Sequence, residues 1–311
     1  MKFSGWKRWQ SVLLAATIAL VAPAVPTAHD GREGGEEGRW VGTWSASMQA
    51  PLFAPATTFD NQTLREVVHV TIGGSVVRVR FSNALGTQPL TIGAASVGLH
   101  GSGASVQPGS LRPLTFGGAA SITIPNGAVA YSDSVHLRVK PQDDLAVSLF
   151  VPSASPSTTQ LSLAHQTSYV SPTGDFTGAN DIPGSTTTTS WYWLSGVEVR
   201  ASWDSRAVVA FGDSITEGFN STTDANSRWP DYLARRLLVH GDTKDIAVLN
   251  EAISGNRVLN DEIGPNAEKR IDRDVLTQGG LAYVIVLLGT NDMGFSQIAP
   301  GIFPSLSLIH I

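Results

Sequence analysis

From residue 40 onward the chain alternates apolar and polar positions in short runs, and after residue 203 the alternation gives way to continuous apolar runs. In "VVHVTIGGSVVRVRF", Val68, Val70 and Ile72 alternate with polar neighbours, and Val77, Val79 and Phe81 do so again after Gly73-Gly74. Period-two alternation marks a half-buried strand. Two such runs around a Gly-Gly pair predict a hairpin. "SITIPNG", "SVHLRVK", "LAVSLFV" and "GVEVRA" carry the same period as far as residue 201. Many short strands between Gly, Pro and Asn turns predict a β-sandwich or jelly-roll domain over residues 40–203. Within it, the Ser-, Thr- and Pro-rich residues 152–190 read as long surface loops.

The second texture has three continuous runs, "AVVAF" (207–211), "IAVLN" (246–250) and "AYVIVLL" (282–288). Runs of this kind suit strands buried on both faces. Between the first two, Trp229, Leu233 and Leu237 fall at i, i+4 and i+8, with Pro230 at a first helical position and Gly241 as a stop. Strand, helix, strand and strand describe an open parallel α/β sheet over residues 204–311. In such sheets ligands bind at the carboxyl ends of the strands. Gly212-Asp213-Ser214, Asn250 to Arg257 and Gly289 to Asp292 all fall there.

Composition narrows the function classes. A net charge of -5 gives no electrostatic reason to expect nucleic acid or an anionic membrane as partner. The absence of cysteine removes disulfides and thiolate metal sites. Lys2, Lys7 and Arg8, the apolar "SVLLAATIALVAPA" and the small-residue site Ala22-Pro23-Ala24 read as a signal peptide over residues 1–28, hence a secreted protein. The apolar run falls short of the roughly 20 residues of a membrane span. The charged, Gly-rich residues 29–39 then form a linker.

Ser214 admits two readings. With Glu217 three residues on, it forms a capping box, the serine accepting a backbone N–H and the glutamate reaching back. It also stands at the end of a strand, where a nucleophile would be presented. Thr216 lies further into the same helix. Gly255 lets backbone approach a ligand closely, and its N–H could donate to a developing oxyanion. Alone, the Ser254-Gly255-Asn256 stretch is a turn. Asn291 could supply a second amide donor or close a local Asx-turn.

"GDSITEG", "AISGNR" and "GTND" resemble blocks I, II and III of the SGNH (GDSL-like) hydrolase superfamily. "WVGTWSAS", "TLREVVHVTIGGSVVRVRFSNALG" and "PLTFGG" resemble the β-rich domain that precedes the hydrolase in some secreted bacterial members. The resemblance implies a flavodoxin-like three-layer α/β domain and a serine esterase working without metal or organic cofactor. It implies Ser214 as nucleophile through an acyl-enzyme. The Ser214 N–H, the Gly255 N–H and the Asn291 side chain become the oxyanion donors, and Asp213 organises the loop. Water and a carbohydrate or lipid ester are the implied partners.

The family draws its base from a late D-x-x-H block, whereas this chain stops 20 residues after Asn291. The D-x-x-H at Asp133 to His136 precedes the nucleophile and lies on an alternating strand, so it is a decoy. His310 has no aspartate three residues before it; His240 ends a predicted helix; His69, His100 and His165 belong to the β-rich part. The closing "LSLIHI" is what CTGTCTCTTATACACATC gives in translation, a string resembling a sequencing adapter. The expectation is a hydrolase domain truncated before its His and Asp, with poor solubility and almost no turnover. The alternatives are a glycan-binding secreted protein carrying a hydrolase remnant, and a surface protein in which Ser214 only caps a helix.

Overall fold

The computed structural model describes residues 38–298 except residue 53, and side chains as far as residue 295. The expected signal peptide, most of the expected linker and His310 lie outside the described residues. The main strands are β1 (Arg39–Ser45), β2 (Gln62–His69), β3 (Gly74–Ser82), β4 (Ala94–Leu99), β5 (Val135–Val139), β6 (Asp144–Val151), β7 (Ser168–Thr173) and β8 (Leu194–Ala201). After them come β9 (Arg206–Gly212), β10 (Ile246–Ala252) and β11 (Leu281–Leu287). The helices are α1 (Ser214–Glu217), α2 (Trp229–Leu238), α3 (Ala267–Ile271), which runs on as a π-turn over Asp272–Leu276, and α4 (Thr290–Ile298).

The first eight strands form two antiparallel sheets. One has the order β1-β8-β3-β5, with Val129–Tyr131 also paired to β3. The other runs Thr186–Thr188, β7, β2, β6, β4, Arg112–Leu114. Alternate residues of both sheets, among them Val77, Val79 and Phe81 of β3 and Leu145, Val147 and Leu149 of β6, meet in one core.

The hairpin expected around Gly73-Gly74 does not form. β2 pairs with β6 and β7, while β3 pairs with β8 and β5, so the chain crosses from one sheet to the other at the glycines. A Cβ on Gly73 would stand 2.4 Å from the Val139 carbonyl oxygen, and one on Gly74 would stand 2.7 Å from that of Arg200. The glycines are there for close packing between strands. Residues 152–190 are also less loop-like than expected: β7 lies inside the six-stranded sheet, and Ser155, Ser157, Thr159 and Gln160 are buried.

The α/β part is a parallel sheet, as expected, and its strands take the order β10-β9-β11 with β9 in the middle. One face of β9 and β10 (Ala207, Val209, Phe211, Ala247, Leu249) joins the core of the antiparallel sheets. The other face, Val208 and Val248, packs on Ala234, Leu233 and Leu237 of α2. That amphipathic stripe is why the segment is helical. Pro230 lies in the first turn, but α2 ends at Leu238 with Val239 as C-cap, before Gly241.

The third run departs from the reading of a strand buried on both faces. Among the described residues β11 is paired on one side only, and its apolar residues are open on both faces, with Tyr283 57% and Val286 62% exposed. Among the described residues nothing covers it. An open apolar strand with a free edge is a template for association. Val286→Lys is therefore expected to raise the monomeric fraction at micromolar concentration, read by light scattering. An unchanged mass distribution would show that β11 does not drive self-association. No helix among the described residues is long and apolar enough to cross a membrane.

Candidate active site

Ser214, Gly255 and Asn291 all lie past the carboxyl ends of the three parallel strands, Ser214 after β9, Gly255 after β10 and Asn291 after β11. The capping-box reading of Ser214 fails. Asp213 is the N-cap of α1, its side chain accepting from the Ile215 N–H at 3.0 Å, and Ser214 is the first helical residue. Glu217 does not reach back; it accepts from the Ser254 hydroxyl of the next loop. The competing acceptor won because Asp213 precedes the serine and caps first. Ser214 Oγ is half-buried and makes no hydrogen bond among the described residues. Thr216 is wholly buried and accepts from the Trp229 indole N–H at 3.2 Å.

The loops are tied to one another. The Gly212 carbonyl accepts from the Ile253 N–H at 3.2 Å, and the Asn250 side chain donates to the Thr216 carbonyl at 2.8 Å. Gly255 has φ +77°, and a Cβ there would meet Ile263 Cδ1 at 2.4 Å, so the tight approach of this loop needs glycine. The Asn291 amide donates to the Asn256 carbonyl at 2.9 Å, which leaves its second N–H unassigned. Asp292, fully buried, accepts from the Val258 N–H at 3.1 Å and stands 3.4 Å from Arg257 Nε. The loop after β10 is thus gripped from both sides, by the end of β9 and by the first turn of α4.

Sequence reasoning missed the group beneath them. Arg270 of α3 donates to the Gly212 carbonyl at 2.8 Å, Asn256 Oδ1 at 3.0 Å, the Glu251 carbonyl at 3.0 Å, Ser47 Oγ at 3.0 Å and Asp274 Oδ2 at 3.2 Å. Its guanidinium lies 4.0 Å from the Phe211 ring centroid. No motif in the sequence marks Arg270; an arginine among the charged neighbours Glu268, Lys269, Asp272 and Arg273 reads as a solvated face. Asp292 and Arg257 lie in the third and second of the three motif stretches, but nothing in the sequence pairs them.

Burial sets the titration here. It pushes the Asp213 carboxyl above its ordinary range, the charge of Asp292 adding to the effect. It pushes Glu217 up to about 8, against the opposing charge of Arg228. Glu251 is pushed up to about 7 by burial and by the neighbouring Asp274. Asp274 feels burial too, but the hydrogen bond and charge of Arg273 and the charge of Arg270 hold it below its ordinary value.

The described histidines are placed elsewhere. Both His69 ring nitrogens are engaged, by Asp144 at 2.7 Å and Gln142 at 3.2 Å. His100 pairs with the Gly103 carbonyl at 2.9 Å, and His136 and His240 are exposed. His165 Nε2 is buried without a partner beside Arg228. Asp133 is taken up by the Thr115 hydroxyl and the Gly117 and Gly118 N–H groups. No cluster of three or more metal-ligating side chains occurs among the described residues.

Two outcomes test this network. Arg270→Met leaves Asp274 less compensated and the Gly212 carbonyl short of a donor, so a loss of about 3–5 kcal/mol is expected in urea unfolding. A variant as stable as the parent would remove Arg270 from its central place. For Glu217, an unfolded-state pKa near 4.5 and a folded value of about 8 mean that the folded chain holds the proton more tightly. Its stabilising effect is complete below about 4.5 and is lost as pH rises towards about 8. Glu217→Gln should flatten that fall in urea midpoints measured across the window.

Residues 210–308 match the model of the GDSL-like Lipase/Acylhydrolase family. Among solved structures the chain is similar to a family two carbohydrate esterase from Clostridium thermocellum in complex with cellohexaose, at 14% identity and TM-score 0.24, covering 83% of this chain and 63% of that one. It is similar to a family two carbohydrate esterase from Cellvibrio japonicus at 14% identity and TM-score 0.25, covering 88% of this chain and 69% of that one. The chain thus spans just under two thirds of the Clostridium thermocellum esterase. No curated protein sequence matches.

Proposed function

We propose that this chain, which through residues 210–308 belongs to the GDSL-like branch of the SGNH hydrolases, is a secreted serine esterase that cleaves carboxylic esters through an acyl-enzyme on Ser214. The observation that carries the reading is the state of Ser214. Its hydroxyl is released from capping by Asp213 and stands at the carboxyl edge of the parallel sheet, beside two interlocked loops. A plain helix cap needs neither a glycine in the left-handed region on the next loop nor a fully buried aspartate in the first turn of α4.

In this mechanism Ser214 Oγ attacks the ester carbonyl carbon, a base that is not among the histidines described above takes its proton and passes it to the oxygen of the departing alcohol, and the acyl group stays on Ser214. Water then cleaves the Ser214 ester and releases the acid. The carbonyl oxygen, negative in the tetrahedral intermediate, accepts from the Ser214 and Gly255 N–H groups and from the Asn291 amide. Neither N–H has a protein acceptor among the described residues. Asn291 is oriented by its bond to the Asn256 carbonyl. The substrate is an O-acetylated carbohydrate or a lipid ester. Export rests on the basic start and short apolar run of residues 1–24.

A fluorophosphonate probe followed by peptide mass mapping tests the nucleophile without requiring turnover. Phosphonylation is expected at Ser214 and absent from Ser214→Ala. Asn291→Ala should slow it about 10²–10³-fold, the cost of one oxyanion donor. Labelling that survives Ser214→Ala would remove the reading.

A further inference from the structure

A cavity of about 160 Å³, separate from the loops around Ser214, opens between the first antiparallel sheet and the π-turn after α3. Its lining includes Arg80, Arg273 and Asp274 together with the apolar Met48, Val129 and Tyr131. Arg80 is only 7% exposed. Its Nε donates to Ser195 Oγ at 3.2 Å and its Nη2 to the Ser195 carbonyl at 2.9 Å. Arg273 is held by Asp274, at 2.6 Å from Nε and 2.9 Å from Nη2, and Nη2 also donates to the Met48 carbonyl at 2.9 Å. Both guanidinium groups are therefore fixed by one edge. Nη1 of each has no protein acceptor among the described residues.

Charge at this place is unbalanced. Arg80, Arg270 and Arg273 stand against two carboxylates, Asp274 and Glu251, the latter 3.7 Å from Arg80. An excess of pre-oriented guanidinium N–H groups is the chemistry that recognises a carboxylate. The facing wall offers an aromatic ring and an aliphatic side chain, both part-exposed: Tyr131 at 37% and Val129 at 43%. The volume is below the roughly 300–1,000 Å³ of drug-sized sites, which restricts the occupant to a few carbons or a single sugar ring.

We propose that this cavity binds a small carboxylate, with the carboxyl group on Nη1 of Arg80 and Arg273 and the body of the ligand against Tyr131 and Val129. A hexuronate and a free short-chain acid share this chemistry. The site is distinct from the ester site and does not depend on the assignment of Ser214.

Isothermal titration with D-glucuronate, D-glucose and propionate decides it. Saturable binding of glucuronate or propionate is expected, with none of glucose. Glucuronate binding tighter than propionate identifies a uronate site, and equal binding identifies a site for the acid group itself. Arg273→Gln should weaken the bound carboxylate about tenfold or more. Tyr131→Ala, on the exposed rim, should weaken it with the melting temperature unchanged, and so serves if Arg273→Gln does not fold. Ser214→Ala should leave binding as it is. The proposal is overturned if no carboxylate saturates, if glucose binds as well as glucuronate, or if the folded variants bind like the parent.

Discussion

The arrangement of this molecule depends on one buried cation. Arg270 is 1% exposed, and its guanidinium finds acceptors from four separate segments of chain: Ser47 after β1, Gly212 at the end of β9, Glu251 and Asn256 on and after β10, and Asp274 in its own π-turn. A guanidinium taken out of water is costly unless its donors are met. Each of these segments is therefore held where the cation can be satisfied. Moving the end of β9 would break the bond at Gly212, one residue before the cap of α1. The position of Ser214 is in this sense set from below, by a side chain that does not touch it.

The same logic explains why the antiparallel sheets are more than an appendage to the parallel one. Residues of β1 and of the segment after it lie against the face of β9 and β10 that α2 leaves open. Ser47 donates to Glu251, the Thr71 hydroxyl accepts from the Val248 N–H at 3.1 Å, and Arg228 reaches the Ala164 carbonyl. Buried polar bonds of this kind are costly to leave unmade. The sheet that carries Ser214 therefore has its polar backbone and its charges completed by the β-rich part of the chain.

Around Ser214 the balance between burial and charge is deliberate in its physical effect. Asp213 and Glu217 are both acids pushed upward by burial, yet each has a fixed partner, the Ile215 N–H for one and the Ser254 hydroxyl for the other. Capping falls to Asp213, and Glu217 joins α1 to the loop carrying Gly255. The serine between them is left with a hydroxyl that makes no hydrogen bond among the described residues.

Local pattern alone determined much of this. Period two gave the strands β3, β5, β6 and β8, and continuous apolar runs gave β9, β10 and β11, because those signals reside in neighbouring residues. The stripe of Trp229, Leu233 and Leu237 gave α2. That Ser214, Gly255 and Asn291 each come after a strand end was legible in the same way. Tertiary structure alone decided that Gly73-Gly74 serves a crossing between sheets, that Glu217 takes the Ser254 hydroxyl instead of reaching back along α1, and that β11 is open on both faces among the described residues. It alone brought Arg270 under Gly212 across 58 positions of sequence. Strand order, burial and the partner of a buried charge are properties of surfaces that meet only after folding, and no window along the chain contains both sides of such a contact.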